Sequence, residues 1–224
     1  LSTLLPYLAR ETDARCRAET LSALATLADG LEAEKLSPGS IDEVWTTIHR
    51  QMELDDSWDV RLFAARILAV RGNAAASSIA LEALPRKDEL WRDTLLALPA
   101  LLARVATPEA EAELRALWIG SLPSDRRLAL EAAAALYRVG RLDDRSWESV
   151  LGEFGNLSAD PAVVLRAGSL LAEFGARDAA IWPRVSRQLS EWGWMHRNDY
   201  AGPFLVKMSG EMAGQTHAGL LAYN

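Results

Sequence analysis

The chain has 224 residues, half of them hydrophobic and a quarter charged, with a formal net charge of −7. Leucine and alanine dominate the apolar half while valine and isoleucine are comparatively scarce, a balance that favours helices over sheets. The single cysteine, Cys16, excludes an intramolecular disulfide and fits a reducing compartment; no apolar run reaches the roughly 18 residues that span a bilayer, and the negative total disfavours nucleic acid and anionic membranes as partners.

In chain order, the first ten or so residues read as a short helix or half of an incomplete repeat. The stretch from Asp13 to Leu31 reads as a helix with Leu21, Leu24 and Leu27 turned inward and Gly30 near its end. Lys35 to Gly39 reads as a turn. Ser40, with Glu43 three residues on at capping-box spacing, then opens a helix whose apolar face is Ile41, Val44, Trp45 and Ile48. Asp55-Asp56-Ser57 breaks that helix, Trp58 to Arg71 forms the next, and Gly72-Asn73 supplies a left-handed stop. Ala74 to Leu84 is a shorter helix ended by Pro85, and Asp88 to Ala106 follows with Pro99 inside, where a kink is expected. Thr107-Pro108-Glu109 places a cap, a preorganised first turn and an acid in sequence. That helix ends near Leu122-Pro123; Ser124 caps its successor, which closes at Gly140. Asp144 to Phe154, Asp160-Pro161 to Gly175, and Ala179 to about Trp192 complete the series.

Four apolar positions recur along this series. Leu95, Leu98, Leu102 and Val105 return 34 residues later as Ala129, Ala132, Leu136 and Val139, and 35 further on as Val164, Ala167, Leu171 and Phe174. Gly72, Ala106, Gly140 and Gly175 mark matching helix ends at the same interval. A stripe that recurs at fixed period signals stacked units rather than one globular core. Trp45, Trp147 and Trp182 partly follow the rhythm, as fillers of the seams between hairpins. The expected fold is all-α, a right-handed α-α superhelix of about five helical hairpins, with repeats over residues 1–191 and an irregular C-terminal cap or truncated repeat over 192–224.

The run Asp59-Val60-Arg61-Leu62-Phe63-Ala64-Ala65-Arg66-Ile67-Leu68-Ala69-Val70 resembles the second helix of a HEAT repeat, in which an Asp, a Val-Arg pair, paired alanines and leucines follow one another. Looser copies begin at Ser124-Asp125-Arg126 and Asp160-Pro161, so that the resemblance to the HEAT-like (HEAT/armadillo) helical repeat family covers roughly residues 12 to 190. The period of 34 is short for that family and equals that of tetratricopeptide repeats, whose Trp, Leu-Gly, Tyr and Ala signature is absent here. The resemblance implies an α-solenoid in which Asp59 and Arg61 knit adjacent repeats.

The sequence offers little chemistry. His49, His196 and His217 stand apart from one another and from Cys16, and glycine-rich phosphate loops are absent, so no cofactor, metal or catalytic residue is assigned and an enzyme is not the favoured reading. Asp55-Asp56 and Asp143-Asp144 read as solvated turn residues. A solenoid aligns residues 34 apart, so Arg92 with Arg126 or Arg127 could form a ladder along one face. In the tail, Trp194, Tyr200 and Phe204 could contact a partner. The expected role is a cytoplasmic or nuclear scaffold that binds a protein along its concave face or through the tail. The chain's opening at Leu1, with no Met and no basic segment before an apolar run, suggests part of a larger chain or complex without a secretory leader. The alternative is a HEAT-like DNA-binding protein or alkylated-base glycosylase, with Trp58, Trp91 and Asp93 cast as site residues.

Overall fold

The computed structural model describes residues 3–34, 38–105, 107–121, 124–142, 144–156, 159–175 and 181–191. Every regular element among them is helical: α1 (Leu4–Leu8), α2 (Ala14–Ala33), α3 (Pro38–Leu54), α4 (Trp58–Val70), α5 (Ala75–Ala83), a 3-10 segment at Leu84–Glu89, α6 (Arg92–Val105), α7 (Pro108–Ser121), α8 (Arg126–Arg138), α9 (Asp144–Gly155), α10 (Pro161–Gly175) and α11 (Trp182–Glu191). The chain divides into two compact units, Leu1–Leu114 and Arg115–Asn224, with the division falling inside α7.

In the first unit, consecutive helices pair as α1 with α2, α3 with α4, and α5 with α6, and the second members stack α2 on α4 on α6. The buried stripe consists of Leu21, Leu24 and Ala28 on α2, Val60, Ala64, Ala65 and Leu68 on α4, and Leu98, Leu101 and Leu102 on α6. Alanine at so many inward positions lets helix axes approach closely. In the second unit, α9 pairs with α10, α8 stacks on α10 and α9 on α11. Ala129, Ala132 and Leu136 of α8 and Val164, Ala167, Leu171 and Phe174 of α10 are all buried, as the recurrent spacing requires. The shared architecture is therefore all-α with repeated helix-pair packing.

Local signals set several helix ends. Asp13 accepts a hydrogen bond from the Cys16 amide at 2.9 Å, and Thr107 Oγ1 from that of Ala110 at 3.2 Å. Gly72 has φ +81°; its amide donates to Ala69 O at 3.1 Å while Asn73 N donates to Leu68 O at 3.1 Å, the paired bonds of a Schellman stop. Gly140, at φ +70°, repeats the arrangement with Tyr137 O and, through Arg141 N, Leu136 O.

Several expectations are corrected. Leu27 is exposed, because it lies about 120° around the helix from Leu21 whereas Ala28 lies only about 20° away and takes the inward place. Gly30 lies in the last turn of α2 as expected, but the helix runs on to Ala33 rather than stopping at Leu31. Ser40 lies inside α3, which starts at Pro38, a residue whose fixed φ suits a first helical position. Pro85 does not end regular structure but enters the 3-10 segment, and this delays α6 from Asp88 to Arg92. Asp125, not Ser124, caps α8, accepting from Leu128 N at 3.0 Å. α6 itself runs through Pro99 from Arg92 to Val105 as one helix.

Candidate interaction surface

Side chains from residues about one repeat apart tie the layers together. In the first unit, buried Asp59 at the start of α4 accepts from the Trp91 amide at 2.8 Å, so a carboxylate of one helix pair caps the first turn of the next. Arg61 of the same run donates from Nε to Met52 O at 3.0 Å and stacks 3.9 Å over the Trp58 ring. Asp59 thus joins one helix pair to the next, whereas the Arg61 bond to Met52 stays within the α3–α4 pair, with Glu82 of α5 at 3.5 Å its one link beyond it among the described residues. Arg71 at the end of α4 reaches back to Asp29 at 2.8 Å and Glu32 at 2.9 Å, and lies 4.0 Å over the Trp45 ring. The Trp45 indole N–H in turn donates to Glu32 Oε1 at 2.6 Å. The Arg71 guanidinium and then the Trp45 N–H hold the Glu32 carboxyl below its ordinary value.

In the second unit, Arg166 meets Glu131 through two bonds of 2.6 and 2.5 Å, Arg138 meets Glu173 at 3.0 and 3.2 Å, and Arg184 meets Glu148 at 2.6 Å. Their separations of 35 or 36 residues lie close to the 34–35-residue repeat interval. Tyr137, Trp147 and Phe174 form an aromatic cluster, with Trp147 edge-on to the other two. The indoles of Trp45 and Trp147 thus fill seams. Gly175 ends α10 without a positive φ; a Cβ there would strike the Trp182 indole, so this glycine answers to close packing rather than to a left-handed stop.

At the start of the chain Arg17 is clasped by Asp55 (2.8 and 3.0 Å), by Asp56 and by the Thr12 carbonyl at 2.9 Å. The Asp55 hydrogen bonds hold the Arg17 guanidinium more firmly protonated than usual. Asp55 is consequently a nearly buried ion-pair partner, not the solvated turn residue its sequence suggests; Asp56 does face solvent. Nearby, Tyr7 donates to Glu11, which pushes the phenol up to about 12 and the Glu11 carboxyl down. Burial, with the charges of Asp13 and Glu11, raises the Cys16 thiol and keeps it protonated.

A cleft of about 780 Å³ lies beside α1 and α3, with Leu5, Leu8 and Leu54 among its apolar walls and Glu43, Arg50 and Gln51 among its polar ones. A shallower one of about 460 Å³ follows Trp45, His49 and Glu53. Neither holds a catalytic constellation, and among the described residues no group of three His, Cys, Asp or Glu could hold a metal ion. Among them, too, no helix is long and apolar enough to cross a membrane.

The exposed sides of α2, α4 and α6 form a more continuous surface. On α4, Phe63, Arg66 and Val70 follow one another at helical spacing, with Val70 74% exposed. Arg66 lies 4.7 Å over the Phe63 ring, and Arg15 of α2 5.8 Å over the Trp91 ring at the start of α6. Arg104 of α6 donates to Ala69 O of α4.

Of the residues singled out from sequence, Arg92 is exposed in the first turn of α6, Arg126 pairs with Glu153 at 3.5 Å, and Arg127 is exposed on α8. Arg92 and the two α8 arginines fall in different units. Trp194, Tyr200 and Phe204, with the whole of 192–224, lie outside the described residues. Trp58 and Trp91 each have a guanidinium over the ring, and Asp93 is exposed. Sequence reasoning missed Arg15, Arg66 and Arg104, whose signal was only their places on the outward sides of the second helices. No protein-family model, curated protein or solved structure matches the chain.

Proposed function

We propose that this chain is a HEAT-like helical-repeat scaffold, without catalytic activity, that binds a protein partner along the exposed sides of its second helices. The repeat reading is supported by the 34–35-residue recurrence of buried positions and by polar ties that span the same interval. The observation that carries the binding role is Val70, 74% exposed, beside a half-buried Phe63 that lies under the Arg66 guanidinium, on a helix whose other sides are packed by α2, α3, α5 and α6. Apolar side chains at helical spacing, flanked by stacked arginines, have the composition of a protein-binding surface.

A photo-crosslinking amino acid placed at Val70 in cells is expected to give discrete protein adducts, whereas the same group at exposed Glu82 of α5 gives none above background. Equal adducts from both positions, or none from Val70, would remove the basis for this assignment.

A further inference from the structure

The geometry points to an acidic peptide segment of a protein partner as the occupant of the α2–α4–α6 face, held by the guanidinium groups of Arg15, Arg66 and Arg104. This rests on the reading of that face as the interaction surface, and adds the chemistry of what it takes.

Residues 1–114 hold twelve Lys and Arg against nineteen Asp and Glu, so the formal charge of −7 resides entirely in the first unit. With acids in such excess, neighbouring arginines find carboxylates: Arg17 meets Asp55 and Asp56, Arg61 Glu82, Arg71 Asp29 and Glu32, and Arg86 Glu89. Arg15, Arg66 and Arg104 instead rest on the Trp91 ring, the Phe63 ring and the Ala69 carbonyl. Among the described residues none of the three is in an ion pair with a carboxylate, although exposed Glu19 lies one turn from Arg15, so three guanidinium groups face outward on one side of an acidic unit.

A guanidinium lying on a ring, or tied to a carbonyl, keeps N–H groups available in a planar fork that matches a carboxylate. The three are also spaced in a usable way. Because Asp59 binds the Trp91 amide, the Arg15–Trp91 pair lies near the start of α4. Arg66 is seven residues farther along α4, about 10 Å, and Arg104 attaches at Ala69, about 5 Å beyond that. Acidic side chains a few residues apart on one segment can reach all three, and Phe63 and Val70 offer contact to apolar side chains between them. Nucleic acid fits less well: Glu19 and Asp93 are exposed on the same helices, and phosphate-backbone binding relies on many cations without interspersed acids.

The test is fluorescence anisotropy on the full chain with three labelled probes of matched length: an amphipathic Glu/Leu peptide, its Lys/Leu counterpart and a DNA duplex. The Glu/Leu peptide is expected to bind saturably and to weaken with salt; Arg15→Glu and Arg66→Glu each weaken it about tenfold or more, while Arg66→Lys, which keeps the charge but loses the planar fork, weakens it by a smaller factor. Circular dichroism melts confirm that the variants fold. Equal binding of both peptides, tighter binding of the duplex, or indifference to charge reversal would overturn the inference. Val70 adducts in cells that survive both charge reversals would overturn it too while leaving the scaffold standing. Loss of Val70 adducts in the unaltered chain would instead remove the scaffold reading, whatever the peptide does.

Discussion

Asp59 does two things at once: it occupies the first turn of α4, where a carboxylate suits the helix dipole, and it accepts the Trp91 amide 32 residues on. Truncating it leaves that amide without its acceptor, so Asp59→Ala is expected to cost about 1–3 kcal/mol in urea unfolding, with a smaller loss for Asp59→Asn, which keeps an acceptor oxygen. Equal losses from the two variants would show that the charge, not the bond, matters. Two glycines give effects of opposite sign. Gly72→Ala forces a side chain into the left-handed region and should destabilise by about 1–2 kcal/mol. Gly30→Ala, inside α2 with open space around the new methyl, should stabilise by about 0.5–1 kcal/mol. A stabilising Gly72→Ala would contradict the stop described above.

At the scale of the helical element, the ends of α2 and α4 meet the middle of α3 where Glu32 receives Arg71 and the Trp45 indole. Because Glu32 titrates below its ordinary 4.5 in the folded chain, its contribution to stability is complete above that value and is lost as pH falls through the lowered one. Wild type should therefore lose more stability between pH 5 and 3 than Glu32→Gln, as read by denaturant midpoints across that window; parallel curves would show that Glu32 is not so linked. Such junctions were only partly legible in the sequence. Gly72, Gly140, Asp13 and Thr107 could be read because stops and caps act through bonds within a few residues. Ser40 and Ser124 mislead because each lies within two residues of another residue that favours a helix start, Pro38 or Asp125. Arg17 with Asp55, 38 residues apart, left no local trace, and Asp55 therefore looked like an ordinary turn acid. The outward arginines of α2, α4 and α6 were hidden for the same reason, since their missing carboxylates are a property of packing.

For the whole molecule, the two compact units and the nearest-neighbour stacking within each determine how damage spreads. Leu136 of α8 and Leu171 of α10 are fully buried equivalents 35 residues apart, on helices that pack together. Leu136→Ala should cost about 2–5 kcal/mol, through lost burial and the cavity left behind. In a stacked array that cost is felt by the mutated layer and its neighbours, because each layer contacts few others. Native-state hydrogen exchange should then speed up in α8, α9 and α10 of Leu136→Ala while α2 and α4 keep their protection. A uniform acceleration from α2 to α10 would mean that one cooperative core governs the chain. The recurrent stripe would then be a pattern of sequence without the layered energetics from which the scaffold role is argued.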